Sequence, residues 1–263
     1  TAVVDHREYE VRVSTLPTVY GEKCVLRLNQ KKALTRTKKA LGLSDEEIET
    51  FDRILRNPNG IVLVTGPTGS GKSTTLYAAL NELNSDMVNI VTVEDPVEAS
   101  IEGINQVQVN VKAELTFANA LRSILRQDPD IIMIGEIRDS ETASIAVQAS
   151  ITGHLVVSTL HTNDATGAIV RLSNMGVQRY LVADALVGVI AQRLVKRLCP
   201  ACKKKGRTTA KEMEILGIDE PINIARPQGC QFCNHTGYKG RIAVHELMYM
   251  NENMKAAVMS ETS

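Results

Sequence analysis

Residues 66–74 read GPTGSGKST, directly after the apolar run IVLVT and at the start of a stretch with helical periodicity from Lys72. Glycines at 66, 69 and 71 let the main chain curl so that successive N–H groups converge on one point at a helix start, where an anion is stabilised. Lys72 has the length to reach the β- and γ-oxygens of a nucleoside triphosphate, and Ser73 carries the hydroxyl that ligates Mg²⁺. Gly66, Pro67, Thr68, Gly69, Ser70, Gly71, Lys72, Ser73 and Thr74 are therefore the candidate ATP-binding residues. A chance glycine-rich turn is the competing reading, and a strand before with a helix after argues against it.

The flanking sequence supplies a matching scaffold. From Ile61, short apolar runs alternate with helical segments: IVLVT and a helix from Lys72, VNIVTV, a helix near Thr116, DIIMI, a helix near Ser140, HLVVST, and helices after Asp164 and Val177. Runs this continuously apolar belong in a mostly parallel sheet covered on both faces, which predicts an α/β nucleotide-binding core. Ahead of it, residues 9–28 alternate around Pro17 and Gly21 like a hairpin. Two strands alone are marginal, so the hairpin points to a larger sheet and to a chain that is a piece of a longer protein. Ser44 and Glu47 have capping-box spacing before Ile48, Phe51, Ile54 and Leu55, which predicts an amphipathic helix ending near Pro58. The expected organisation is an N-terminal sheet fragment (1–30), a linker (31–40), the core (41–198), a cysteine module (199–245) and a helical terminal segment (246–263).

Composition removes several classes. Lys and Arg number 30 against 30 Asp and Glu, and 43% of the 263 residues are hydrophobic, which excludes a disordered polyelectrolyte. Net neutrality argues against a surface that wraps nucleic acid, and 3% aromatics with no Trp leave little for base stacking. No apolar run approaches the ~20 residues of a membrane span, and TAVVDHREYE lacks the basic and apolar regions of a signal peptide. The chain reads as soluble and cytosolic.

The run from Asp130 to Glu136 is an apolar strand ending in an acid, a form that sets a carboxylate beside Mg²⁺ and the attacking water. Gly135 stands where many such enzymes carry an Asp, so Glu136 acts alone or with Glu94 or Asp95, which end the strand VNIVTV. A solvated strand end is the alternative for both. His154 and His161 flank LVVST and are expected near the same sheet edge or its adjoining loops, where His161 is a polar contact for a γ-phosphate or for Glu136. Arg122 and Arg126, spaced i, i+4 on one helix face, are a candidate anion pair or a solvated stripe. Arg12 and Arg27 lie in the hairpin and could reach a triphosphate only across a domain or subunit boundary.

Cys199 and Cys202, then Cys230 and Cys233, form two C-x₂-C pairs separated by 27 residues. Such spacing suits a closed, structural Cys₄ Zn²⁺ site; His235 could replace one cysteine, and reduced metal-free pairs are the alternative. Cys24 is remote from them. Eight basic residues between Arg193 and Lys211, with no acid among them, offset the charge of such a centre, face an anionic membrane or acidic partner, or are simply solvated.

Taken together, GPTGSGKSTT, the acidic box TVEDPVE (92–98), IIMIGEIRD (131–139) and the histidine box TGHLVVSTLHTN (152–163) resemble the secretion ATPase superfamily. The tetracysteine module and RVSTLPTVYGEKCVLRL resemble, within it, the assembly ATPases of type IV pili and type II secretion systems. The resemblance implies a RecA-like P-loop NTPase core joined to a PAS-like N-terminal domain, in a hexameric Mg²⁺-ATP-driven motor. The motor would sit peripherally on the cytoplasmic face of the inner membrane, working with a platform protein and a recruiting protein to assemble pilus or pseudopilus fibres. It also implies roles: Glu136 the strand-end acid, Glu94 the acid that polarises or deprotonates water, His154 and His161 the histidine box, Arg12 and Arg27 reaching the phosphates from the preceding domain, and Arg122, Arg126 and Arg138 supporting the core side. Two other readings remain, a nucleotide-gated scaffold and a nucleic-acid-translocating motor built on the same core.

Overall fold

Four fully buried runs form the middle of a seven-stranded sheet, and helices cover its two faces, as strands without polar alternation require. The structure, a computed structural model, describes residues 2–4, 7–30 and 37–260, with the main chain alone for 2–4, 7–8, 10, 12 and 29–30. Strands β1 (Ala2–Val4), β2 (Arg7–Thr18) and β3 (Gly21–Gln30) make an antiparallel N-terminal sheet. Helices α1 (Lys38–Leu41) and α2 (Asp45–Leu55) lead to β4 (Gly60–Thr65), α3 (Lys72–Leu83), β5 (Ile90–Glu94) and β6 (Asn105–Gln108). Then follow α4 (Phe117–Ile124), β7 (Ile131–Ile134), α5 (Ser140–Ile151), β8 (Leu155–Leu160), α6 (Thr166–Asn174), α7 (Arg179–Ala185) and β9 (Leu186–Leu198). The last part holds β10 (Lys204–Arg207), α8 (Ala210–Leu216), β11 (Asn223–Arg226), β12 (Tyr238–Tyr249) and α9 (Glu252–Met259).

The large sheet runs β12-β9-β4-β8-β7-β5-β6, parallel throughout except for β12 against β9. Alternate residues of each strand enter different cores: Val62, Val64 and Ile190 pack against α2 and α3, whereas Ile61, Leu63 and Val189 pack against α4 to α7. The expected capping box is present, with Ser44 Oγ accepting from the Glu47 N–H and Glu47 Oε2 from the Ser44 N–H at 2.6 Å. It starts α2 at the register that buries Phe51, Ile54 and Leu55.

Three features depart from the expectations. The polar segment NQVQ forms β6, an edge strand whose half-exposed residues carry no apolar signal. Helix α7 stops at Ala185, and the next 13 residues are β9. Val187, Val189, Ile190 and Val195 are β-branched and favour a strand, and at Gly188 a Cβ would lie 2.7 Å from Ile54 Cδ1, so the strand can lie close under α2 only with glycine there. Strand β12 returns beside β9 from Tyr238↔Leu198 to Tyr249↔Gly188, so the boundary placed at residue 245 falls inside an edge strand of the large sheet. The cysteine module is thus carried at the far end of a two-stranded ribbon. Residues 31–36 of the expected linker lie outside the described residues.

Candidate active site

Strand β4 ends at Thr65, and the chain then turns through residues 66–71 into α3. Gly66 has φ 143° and Gly71 φ 91°, conformations that residues with a Cβ rarely adopt. A Cβ on Gly66 would also lie 2.2 Å from the Gln192 carbonyl oxygen. The turn exposes the first N–H groups of α3, which have no acceptor within the helix. Lys72 Nζ donates to the carbonyls of Gly66 at 2.9 Å and Pro67 at 3.2 Å. Burial pulls the Lys72 ammonium below its ordinary pKa, and the negative charge of Glu136 opposes that pull.

The loop opens on a cleft of about 210 Å³, lined by Thr68, Gly69, Lys72 and Ser73 on one side and by Glu94, Asp95, Glu98, Glu136 and His161 on the other. These acids and His161 follow the carboxyl ends of β5, β7 and β8, the edge where open parallel sheets place ligands. Strand β8 lies between β4 and β7, so His161 stands between the loop's strand and that of Glu136. One carboxylate oxygen of Glu136 accepts from Arg138, and the other is 3.5 Å from His161 Nε2. That bond to Glu136 raises the Arg138 pKa.

Glu94 is 3% exposed, yet its charge is well met. Oε2 accepts from the Tyr77 hydroxyl, and Oε1 from Thr92 Oγ1 at 2.6 Å and Gln106 Nε2 at 3.0 Å. The Tyr77 oxygen also accepts from the Glu98 N–H at 3.2 Å. Burial and Glu94 push the Tyr77 pKa up, so the phenol stays a neutral donor.

The structure therefore brings the loop, Lys72, Ser73, Glu94, Glu136 and His161 to one cleft, with Arg138 bonded at its rim. Thr74 faces elsewhere, bordering a separate cavity with Gly71, Gln192 and Leu194. The placement of His154 is corrected. It precedes β8 whereas His161 follows it, so a parallel strand puts them at opposite edges of the sheet, and His154 Nδ1 lies 2.9 Å from the Ala149 carbonyl. Arg122 pairs with Glu141 at 2.6 Å and Arg126 donates to the Arg122 carbonyl at 2.7 Å, both away from the cleft lining. Arg12 and Arg27 oppose each other across β2 and β3, and no lining residue comes from that sheet; the Arg12 side chain lies outside the described residues. Sequence reasoning missed Tyr77, Thr92, Gln106 and Gln192. Thr92 lies in the acidic box and Gln192 is an amide following the apolar run LVGVIA, but neither position announced its partner.

At the end of the β9–β12 ribbon, the sulfurs of Cys199, Cys202, Cys230 and Cys233, without His235, lie within 4.8 Å of one another. Zn–S bonds of ~2.3 Å in a tetrahedron separate sulfurs by ~3.8 Å. Here Cys199 and Cys230 are 4.0 Å apart, Cys202 and Cys233 3.8 Å, and Cys230 and Cys233 3.8 Å. Burial resists ionisation of Cys233, but the N–H groups of Cys230 and Gly237, both 3.2 Å away, and the nearby thiols bring it down to about 6. Burial foremost holds Cys202 up at about 11. The donor set fits a thiolate-bound divalent metal.

A family model described as "Type II/IV secretion system protein" matches residues 1–263. Type II secretion system protein E of Pseudomonas aeruginosa is 53% identical over 99% of this chain and 52% of its own length. Type IV pilus assembly ATPase TfpB of Acinetobacter baylyi is 49% identical over 98% of this chain and 45% of its own. The crystal structure of the pilus retraction motor PilT with bound ADP superposes with a TM-score of 0.68 at 30% identity, covering 94% of this chain and 62% of that one. The chain spans about half the length of the sequence relatives it matches. Among the described residues, no helix is long and apolar enough to cross a membrane.

Proposed function

The chain belongs to the type II/IV secretion system protein family, and we propose that it is the ATP-hydrolysing core of a hexameric motor that drives assembly of pilus or pseudopilus fibres at the inner membrane. The observation that carries this reading is the cleft itself, in which the loop from Gly66 to Ser73 faces Glu136 and His161. The PilT structure, from a protein of the same superfamily by resemblance, holds ADP.

In this reading the N–H groups at the start of α3 and Lys72 hold the β- and γ-phosphates, and Ser73 and Glu136 would hold Mg²⁺. The ion supplies charge neutralisation across the phosphates. Glu136 keeps an oxygen facing His161 and orients the attacking water. Glu94, its carboxylate held by three neutral donors, polarises or deprotonates that water. Arg138 stabilises charge spreading over the equatorial oxygens.

Arg12 and Arg27, from what we read as the carboxyl part of a PAS-like domain, reach the phosphates when domains or subunits close, and Arg122 and Arg126 support the core side of the closed site. Hydrolysis does work if those arginines grip triphosphate and release diphosphate, since a ligand shifts an equilibrium only through differential affinity. The four cysteines would hold a Zn²⁺ in a structural role as thiolate ligands. An inner-membrane platform protein receives the motion.

The test is phosphate release from Mg²⁺-ATP across a protein-concentration series, beside Lys72→Ala, with and without duplex DNA. Turnover that needs Lys72, rises faster than linearly with protein and ignores DNA is expected. Stimulation by DNA would favour a translocating motor, and bound ATP without release a nucleotide-gated scaffold.

A further inference from the structure

Gln192 is an amide buried to 3% exposure, at the end of the buried half of β9, whose other buried residues are apolar. An amide at that depth is costly unless both its ends are bonded. Both are. Nε2 donates to the Ser70 carbonyl at 2.8 Å, and Oε1 accepts from Thr75 Oγ1 at 2.6 Å. A carbonyl can only accept, so Ser70 fixes which way the amide faces.

These two partners bracket the turn into α3. Ser70 precedes Gly71, the N-cap, and Thr75 lies in the first turn of the helix. The Gln192 carbonyl meanwhile packs against Gly66, at the other end of the loop. One residue of a neighbouring strand thus touches the beginning of the phosphate loop, the carbonyl just ahead of the helix N-cap, and the helix itself. No other polar side chain does this among those whose bonds to residues 66–75 are described.

We propose that Gln192 is a positioning residue for nucleotide, its amide holding residues 66–71 in the path that converges their N–H groups and Lys72 on the phosphates. The proposal rests on the nucleotide reading above. A loop with three glycines has many accessible conformations, and a site ordered beforehand binds more tightly because less freedom is lost on binding. Removing the brace therefore weakens ground-state and transition-state binding alike, raising KM for ATP while kcat at saturation is kept.

Gln192→Met keeps the length and approximate volume of the side chain and removes both bonds. Kd for a fluorescent ADP analogue and for ATP is measured on the whole chain, beside the thermal midpoint without nucleotide. We expect affinity for both nucleotides to fall about tenfold, the midpoint to stay within a few degrees, and Thr75→Ser, which keeps its hydroxyl, to bind like the unsubstituted chain. A second variant, Gln192→Glu, faces Ser70 with a carboxylate. Its affinity should be weak at high pH and recover as the pH falls and the carboxyl gains a proton to donate. Native affinity in Gln192→Met, or pH-independent affinity in Gln192→Glu, overturns the proposal while leaving the nucleotide reading intact. Failure of the unsubstituted chain to bind ADP or ATP overturns both.

Discussion

The hydroxyl of Tyr77, in the helix that begins at Lys72, donates to the buried carboxylate of Glu94 and accepts from the N–H of Glu98. The phosphate-loop helix and the acidic segment after β5 are thereby tied at a single atom. Tyr77→Phe keeps the ring and removes the tie, leaving one oxygen of Glu94 without its donor, at a cost of ~1–3 kcal/mol. We expect kcat for ATP to fall several-fold with KM little changed, read from steady-state phosphate release. An unchanged kcat would mean that the position of Glu94 does not matter to the chemical step.

Glu136 faces the loop from β7, and Lys72 feels its charge. Glu136→Ala should therefore leave ATP bound and unhydrolysed, whereas Lys72→Ala should lose phosphate release. Filter binding of labelled ATP beside phosphate release separates the two. Loss of ATP binding in Glu136→Ala would count against its assignment as the water-orienting acid.

His245 sits opposite Gln192 on β12, and among the described residues neither of its ring nitrogens has a hydrogen-bond partner. Burial lowers its pKa from 6.5, with Glu47 opposing. A base whose folded pKa is depressed binds fewer protons folded than unfolded, so stability rises with pH and is lost as the pH falls through the unfolded value near 6.5. The thermal midpoint should drop between pH 8 and pH 5.5 by more in the unsubstituted chain than in His245→Leu, measured by circular dichroism. Equal drops would show that other groups carry the acid-side loss.

The sulfur spacing at Cys199, Cys202, Cys230 and Cys233 predicts about one zinc per chain. Cys199→Ser should lose that zinc and raise the reactivity of the remaining thiols toward a disulfide reagent. ADP binding should persist, because no cysteine lines the cleft. Elemental analysis finding no zinc in the unsubstituted chain would sink the metal assignment.

What the sequence made legible is what neighbours along the chain decide. The loop from Gly66 to Ser73 lies between β4 and α3, and the Ser44–Glu47 box starts α2. Glu136 and His161 lie at the cleft because each comes within two residues of the end of an apolar strand. His154 was misplaced because a histidine box read as a string ignores strand direction, and the length of β8 separates its two members. Strand β9 was hidden because LVGVIAQRLV is apolar enough for either state, and only packing of Gly188 under Ile54 decides it. Tyr77 reads as one more apolar residue of α3. Gln192 meets Ser70 across 122 positions, a pairing that only the fold brings about.

Gly66 is held by its own neighbour strand as well as by the needs of the turn: a methyl group there would strike the Gln192 carbonyl, a main-chain atom that cannot swing aside. Loss of function on substituting this glycine therefore does not diagnose a lost ligand contact. The same phenotype is expected if β4 and β9 are pushed apart, and the two causes separate only when the sheet is examined without nucleotide. Variation at position 66 in a genetic screen is better read as a report on the scaffold, and variation at Lys72 as a report on the ligand.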